Sequence, residues 1–433
     1  MQRTLSMSLP SRVGDRVQIA GWVHRVRDLP AVTFLVIRDR SGLAQVVVED
    51  PDERTAARGL VAESVVVVSG IVAAMAQAPD GVEIHGPTID VLSAATEAPP
   101  VELFRPRLSA SLPTVLDHAA ITLRHPRRRA VQRLAAASMA GFRATLDDLG
   151  FTEIQTPKVV GSATESGANV FRLDWFGRPA FLAQSPQFYK QMLVGVFERV
   201  YETGPVFRAE AHDTTRHLAE YLSLDVEMGF IADHRDVMAL LRDVLAGMLD
   251  AITRSRAATI DVLGVKLPAV PEVIPTVRFA DALALVGEAL GRDLSAEPDL
   301  APEHERWLGA WALREHASDF LFVEGYPMVK RPFYTHPDPS DPRWSNSFDL
   351  LFRGMELVTG GQRLHRYADY VAAIEGRGEG LDPYLGYLET FRHGMPPHGG
   401  FAIGLERWVA QLVGAANIRE VTLLPRDLNR LTP

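Results

Sequence analysis

The stretch VFRAEAHDTTRHLAEYLSLDVEM, Val206 to Met228, limits the possible folds more than any other part of the chain. Its second half alternates. Leu222, Leu224, Val226 and Met228 fall on one side, and Ser223, Asp225 and Glu227 on the other. Residues two apart in a strand share a face, so the pattern predicts a β-strand with an apolar side toward a core and two acids opposite. Arg208 and Glu210 share a face of the preceding run, and a loop carrying Arg216 and His217 lies between the two. A hairpin of this type calls for an antiparallel sheet, here with charges of both signs gathered on one surface.

Two further blocks repeat the theme. NSFDLLFRGMELVTGGQRLHRY (Asn346–Tyr367) sets Asp349 and Glu356 inside apolar strands, ahead of Gly360, Gly361 and Arg363. RHGMPPHGGFAIGLERW (Arg392–Trp408) offers Gly399 and Gly400, where backbones can approach closely, and then Arg407 near a helix start. Carboxylates and arginines with glycines between them suit a magnesium-bound polyphosphate held by position and charge. The chain has no G-x-x-x-x-G-K-[ST], G-x-S-x-G or H-E-x-x-H, which excludes a P-loop and argues against the common hydrolase and zinc-protease sites. His212 with His217, and His393 with His398, lack a third partner for zinc. With no cysteine there is no thiol chemistry and no disulfide.

A length of 433 residues predicts two or three domains, and 47% hydrophobic with 23% charged residues predicts globular ones. The net charge of −9 excludes a generally basic nucleic-acid coat but leaves room for a local stripe. Residues 17–49 give three β-rich runs with turns at Arg27–Pro30 and Asp39–Gly42; Val65–Ala74 and Gly81–Leu92 give two more. Five short strands in about a hundred residues point to an OB-fold barrel. Thr96–His118 reads as a linker, crowded at its far end by Arg105, Arg107, Arg124, Arg127, Arg128 and Arg129. These are either solvated or a contact to a nucleic-acid backbone. Val131, Leu134, Ala135, Phe142, Leu146 and Leu149 mark a helical face that ends at Gly150. Strands follow at 180–184, 203–210, 220–230 and 346–359, helices near 186–198, 233–256 and from Leu405, and a last strand near Val421–Leu424. Residues 260–345 carry the weakest pattern. Hairpin-like pairs dominate, so the second domain is expected to be α+β on an antiparallel sheet flanked by helices. The expected division is 1–100 barrel, 101–130 hinge and 131–433 second domain. The start lacks the apolar core of a signal peptide, and Ser64–Ala76 is too short and interrupted to span a bilayer, so a cytoplasmic, non-membrane protein is expected.

Together these blocks resemble the class II aminoacyl-tRNA synthetases. GFTEIQTPKV with Pro157 looks like motif 1, the dimer-forming segment; GPVFRAEAHDTTRHLAEYLSLDVEM looks like motif 2 and GGFAIGLER like motif 3. FLAQSPQFYKQ and GGQRLHR are similar to the aspartyl enzymes in particular, in a compact archaeal/eukaryal form, and GWVHRVRD with FLVIRDRSGLAQVVV resembles their anticodon-binding OB-fold. The resemblance implies ATP-dependent formation of aspartyl-adenylate and transfer of the aspartyl group to tRNA by a homodimer. It places Arg208 on the α-phosphate and substrate carboxylate, Glu210 on the adenine amino group, Arg216, His217 and Leu218 along the ATP, and Gly404 and Arg407 at its γ-phosphate end. Glu356, Asp349 and Thr359 would hold Mg2+. Lys190 and Arg363, with Ser185 and Gln187 beside them, would read the aspartate side chain. Asp225 would take its ammonium group, Thr359 would lie nearby, and Glu165 would close over the site. In the barrel Phe34 would stack an anticodon base, with Arg25, Arg27, Gln45 and Glu83 around it; from the residues alone Phe34 reads as core. His24 and Pro79 resemble the enzymes that accept tRNA(Asn) as well as tRNA(Asp), whose Asp-tRNA(Asn) an amidotransferase then converts. The competing readings are an enzyme confined to tRNA(Asp), an asparaginyl enzyme, and an idle paralogue, which would be expected to lack Arg208, Glu356 or Arg407.

Overall fold

The structure, a computed structural model, describes residues 2–161, 170–255 and 257–432. Residue contacts divide it into two compact units, Met1–His125 and Pro126–Pro433. In the first, β1 (Arg16–Asp28), β2 (Thr33–Arg38), β3 (Leu43–Val48), β4 (Val65–Ala74) and β5 (Val82–Ser93) close into a barrel in the order β1-β2-β3-β5-β4, with helix Pro51–Arg58 between β3 and β4. Closure removes the free strand edges. The interior is filled by Val17, Ile19, Val23, Leu35, Val46, Val66, Val68 and Ile84.

One defect in β1 decides what the barrel shows to solvent. Pairing with β2 shifts between Val23 and Arg25, and Val23 and His24 are buried in succession. A bulge adds one residue and reverses the inward–outward phase beyond it. Arg25 and Arg27 therefore point outward, where an unbroken alternation from Val17 through Val23 would have aimed them at the core. His24 is packed against Arg38, its Nδ1 3.4 Å from Nη1. Arg38 is clamped by both oxygens of Glu63 at 2.6 and 2.7 Å, and Arg124 holds Glu63 from the other side at 2.9 Å. Phe34 lies outside the barrel core and is partly exposed, contrary to the reading from the strand alone.

The second unit opens with helix Pro126–Asp148, which buries Val131, Leu134, Ala135, Phe142 and Leu146 as the periodicity requires; Leu149 lies beyond its end and is exposed. Gly150 follows at φ +76°. FTEIQTPKVV yields two short strands, β6 (Thr152–Glu153) and β7 (Val159–Val160), on either side of Pro157. β7 joins β8 (Arg172–Trp175) and β9 (Arg178–Leu182) in a small sheet ordered β7-β9-β8. The large sheet adds β10 (Arg199–Phe207), β11 (Glu220–Gly229), β12 (Thr276–Arg278), β13 (Phe320–Glu324), β14 (Ser347–Phe352), β15 (Met355–Gln362) and β16 (His398–Gly404). Its order is β12-β13-β14-β15-β16-β11-β10-β6, antiparallel except at the two ends, where β12 pairs β13 and β6 pairs β10 in parallel. Helix His234–Ser255 covers one face, and Leu224, Val226, Phe348, Val358, Phe401 and Ile403 join its core there. Residues 260–345, unreadable as sequence, contain helices Phe279–Leu290 and Pro302–His316 as well as β12 and β13. Their own buried cluster (Phe279, Leu283, Leu308, Leu321) packs against the sheet edge.

Two expectations are corrected. Val421–Leu424 is not a strand: a 3-10 turn at Ile418–Glu420 precedes irregular chain there. The arginines near the first unit's end are not simply solvated. Arg124 holds Glu63, Arg127 donates to the carbonyls of Val262 and Leu263 at 3.1 Å, and Arg128 is 9% exposed.

The central strands fit only because Gly360, Gly361, Gly399 and Gly400 have no Cβ. At Gly400 a Cβ would collide with the Val226 carbonyl and the Glu227 carboxylate, and at Gly399 it would lie 2.6 Å from the Gly361 carbonyl. Backbone cannot give way like a side chain, so Gly400→Ala should cost at least about 1–3 kcal/mol. Denaturant unfolding of the variant is the check.

Candidate active site

The alternation of β11 sorts its residues as the sequence predicts, but both of its faces are covered. Leu224 and Val226 enter the core; Ser223, Asp225 and Glu227 are also buried, beneath helix Gln187–Phe197. That helix lowers Lys190 into the sheet, leaving it 1% exposed. Lys190 Nζ lies 3.1 Å from Asp225 Oδ1 and 3.3 Å from Glu227 Oε2, and donates to the carbonyls of Phe401 and Val226. Arg363 enters from the end of β15, its Nε donating to Glu227 Oε1 at 3.0 Å and its Nη2 to the Gly400 carbonyl at 3.0 Å. Gln187 is shared between them, accepting from Arg363 at 3.4 Å and donating to Glu227 at 3.5 Å. Glu227 thus holds two cations from below. Burial alone would raise its pKa, but Arg363 and Lys190 outweigh that and hold it below the usual carboxylate value. Removing one partner from such a buried group leaves an uncompensated charge, typically costing about 3–5 kcal/mol.

These groups form the floor of a cleft of about 1430 Å³. Its lining brings together Ser185, Gln187, Lys190, Arg208, Glu210, Arg216, His217, Leu218, Asp225, Glu356, Thr359, Arg363, Gly404 and Arg407, candidate residues from four separate stretches of chain. Arg208 follows the last residue of β10 and is 4.0 Å from Glu210. The loop beyond it is tied by Thr214, whose hydroxyl sits 2.6 Å from His217 Nδ1 and accepts from the Arg216 amide. His217 is pushed down by burial, against the pull of Glu210. Arg407 donates to the Glu356 carbonyl and lies 3.6 Å from its carboxylate.

Asp349 stands apart from the lining. It is 4% exposed, pairs across the sheet with Thr359, and accepts from Arg331 Nη2 at 3.1 Å. Burial pushes its carboxyl up to about 6, with Glu356 adding and Arg331 opposing. Asp349, its cross-strand partner Thr359 and Glu356, whose Oε1 lies 3.5 Å from the Thr359 hydroxyl, are oxygen donors of the kind that could hold a hard divalent cation. Among the described residues no group of three or more His, Cys, Asp or Glu is placed to hold a metal. Glu165 lies outside the described residues.

In the barrel, Arg27 lies over the Phe34 ring at 5.4 Å and Arg25 over Phe104 at 4.4 Å. Gln45 donates to Glu83 at 2.9 Å, across adjacent strands, and His85 meets the other oxygen of Glu83. Pro79 opens a 3-10 turn, whereas His24 is buried at 6% exposure.

Three buried polar groups carry no local signal in the sequence: Glu227, which alternation assigns only to a polar face, and Gln191 and His398, which lie far apart along the chain. Gln191 donates to His398 Nε2 at 3.0 Å and accepts from the Tyr387 hydroxyl, while His398 Nδ1 faces the Pro396 carbonyl. A fourth, Glu305, comes from the unreadable region and touches both Arg216 and Glu356.

The family model for class II tRNA synthetases (D, K and N) matches residues 111–428, and one for the OB-fold nucleic acid binding domain matches residues 17–92. The chain belongs to the class II aminoacyl-tRNA synthetases and carries their tRNA-binding OB domain. Within that class it is 46% identical to the aspartate–tRNA(Asp/Asn) ligase of Deinococcus radiodurans, over 100% of this chain and 99% of that protein. It is equally 46% identical to the aspartate–tRNA(Asp/Asn) ligase of Thermus thermophilus, over 100% of both chains. Among solved structures, the asparaginyl-tRNA synthetase of Pyrococcus horikoshii complexed with asparaginyl-adenylate superposes with a TM-score of 0.93 at 31% identity, covering 100% of both chains.

Burial drives the pKa of His398 from the ordinary 6.5 to about 4, so the folded protein keeps it neutral where an unfolded chain would already be protonated. Its contribution to stability is full above about 6.5 and is lost as pH falls toward 4, by at most about 1.4 kcal/mol per pH unit. His398→Gln should flatten that part of the acid unfolding profile, measured by denaturant melts across the range.

Proposed function

We propose that this enzyme charges tRNA with L-aspartate in two steps. The observation that carries this reading is that two buried cations, Lys190 and Arg363, line the same cleft as Asp225, Arg208 and Arg407. A carboxylate side chain on that floor meets both cations; an amide offers them one neutral oxygen and turns an NH2 toward positive charge. Asp225 suits the substrate ammonium, and Ser223, donating to it at 2.5 Å, fixes its rotamer.

An α-carboxylate oxygen of aspartate attacks the α-phosphorus of ATP, and the bond to the bridging oxygen breaks to release pyrophosphate. A hydroxyl of the tRNA terminal ribose then attacks the acyl carbon and AMP leaves. Alignment and charge neutralisation suffice for the first step, with no protein nucleophile. Arg208, which lines the same cleft, serves the α-phosphate, Glu210 the adenine, and Arg216, His217 and Arg407 the phosphate tail. Glu356, Asp349 and Thr359 would hold Mg2+, which would supply further neutralisation of the phosphates. Residues 1–100 would read the anticodon, with bases on Phe34 and edges at Gln45 and Glu83, as single-stranded RNA is commonly read; residues 101–130 serve as hinge and 131–433 as catalytic domain. We further propose a cytoplasmic homodimer joined through motif 1 that charges tRNA(Asn) as well as tRNA(Asp), as the names of its relatives suggest, and supplies an amidotransferase with Asp-tRNA(Asn).

Aspartate-dependent ATP–pyrophosphate exchange tests the first step. Exchange is expected with aspartate and not with asparagine, and Lys190→Ala should raise KM for aspartate by about tenfold or more. Exchange with asparagine alone would overturn the reading. Purified tRNA(Asn) should accept aspartate alongside tRNA(Asp); failure to do so restricts the enzyme to tRNA(Asp).

A further inference from the structure

Helix Pro302–His316 arises from the part of the chain whose sequence says least, yet it reaches the nucleotide end of the cleft. Its approach is set by glycine on both sides. A Cβ on Gly309 would lie 2.5 Å from Gly354 Cα, and one on Gly354 would lie 2.9 Å from Arg306 Cα. Gly354 also has φ +73°, in the turn between β14 and β15. The helix backbone therefore rests directly on that hairpin. Glu305 lies four residues before Gly309, on the same helical face.

From there Glu305, 7% exposed, sends one oxygen to two places. Oε2 accepts from Arg216 Nη1 at 3.2 Å and from the Glu356 amide at 3.1 Å. One end of this bridge is the loop arginine at the phosphate tail; the other is the backbone of the carboxylate that would hold the metal. No other acid is paired with Arg216 among the described residues. A buried carboxylate is costly unless it is matched, and here both matches lead into the cleft.

We propose that Glu305 is a positioning residue for ATP: it holds Arg216 extended toward the phosphate tail and, through the same oxygen, fixes the Glu356 backbone, so that tail and cation are gripped in register. This deepens the synthetase reading and rests on it for the identity of the nucleotide. It assigns a role to a helix of the 260–345 region, which brings Glu305 to a site built largely from other stretches of the chain.

The test compares Glu305→Gln, Glu305→Ala, Arg216→Ala and the double variant Glu305→Gln/Arg216→Ala. ATP affinity is measured by calorimetric titration in Mg2+, and KM for ATP and for aspartate by pyrophosphate exchange. Glu305→Gln keeps an acceptor for the Glu356 amide but loses the charge on Arg216. It should weaken ATP about five- to tenfold while leaving KM for aspartate within about twofold. The double variant should be no weaker than Arg216→Ala alone, because the two residues act as a pair. Glu305→Ala should weaken ATP further and raise the Mg2+ concentration needed for half-maximal exchange. Unchanged or tighter ATP binding in Glu305→Gln, equal losses for ATP and aspartate, or additive losses in the double variant would each overturn the proposal. Should Glu305→Ala fail to fold, the isosteric Gln variant decides. Absence of aspartate-dependent exchange in the unmodified protein would instead count against the synthetase reading, and the ATP titration would still report on Glu305.

Discussion

The structure depends on a carboxylate with no access to water. Glu227 is fully buried at the centre of the large sheet, and it is tolerable there only because Lys190 and Arg363 reach it from a helix and from a neighbouring strand. Arg363 is paired with it, and Lys190 is shared between it and Asp225, so the buried charges of both signs are matched. Around this group the glycines of β15 and β16 thin the sheet so that the charges fit: Gly400 leaves room for the Glu227 carboxylate and offers its carbonyl to Arg363.

Everything nearer the cleft mouth is less buried and more adjustable. Arg208, Arg216 and Arg407 keep between a quarter and two-fifths of their side chains exposed, suited to polyphosphate that arrives and leaves. The neighbouring asparaginyl enzyme, with a TM-score of 0.93, indicates that the scaffold itself does not choose the amino acid. Selection rests on a few side chains, as expected when function is carried by sites on a shared fold.

Much of this was legible. Periodicity located the barrel strands, the first long helix and the β10–β11 hairpin, because each buries one face and repeats at its own period. It failed where burial was not one-sided. Glu227 looked like half of an exposed polar face, since alternation reports which residues share a side and not what covers that side. His24 broke the phase of β1, and a bulge leaves no mark in an alternation count except two adjacent buried residues. Phe34 followed the strand pattern of a core residue and proved to lie outside the core. Val421–Leu424 had the composition of a strand but no sheet edge to join.

The sequence by itself determined the class of the chain and the identity of its reactive groups, because both are local: strands with charges at period two, glycine pairs, and arginines at fixed offsets within short stretches. Only the tertiary structure decided which groups meet. Lys190, Glu227 and Arg363 are separated by 37 and 136 residues along the chain, and their contact is set by how β11, β15, β16 and one helix pack. Glu305 makes the same point more strongly. Nothing adjacent to it in sequence marks it as functional; a glycine-to-glycine contact four residues away brings it to Arg216 and Glu356. Hydrogen bonds and buried charge act over a few ångströms of space, and a linear pattern carries that information only where neighbours in sequence are also neighbours in the fold.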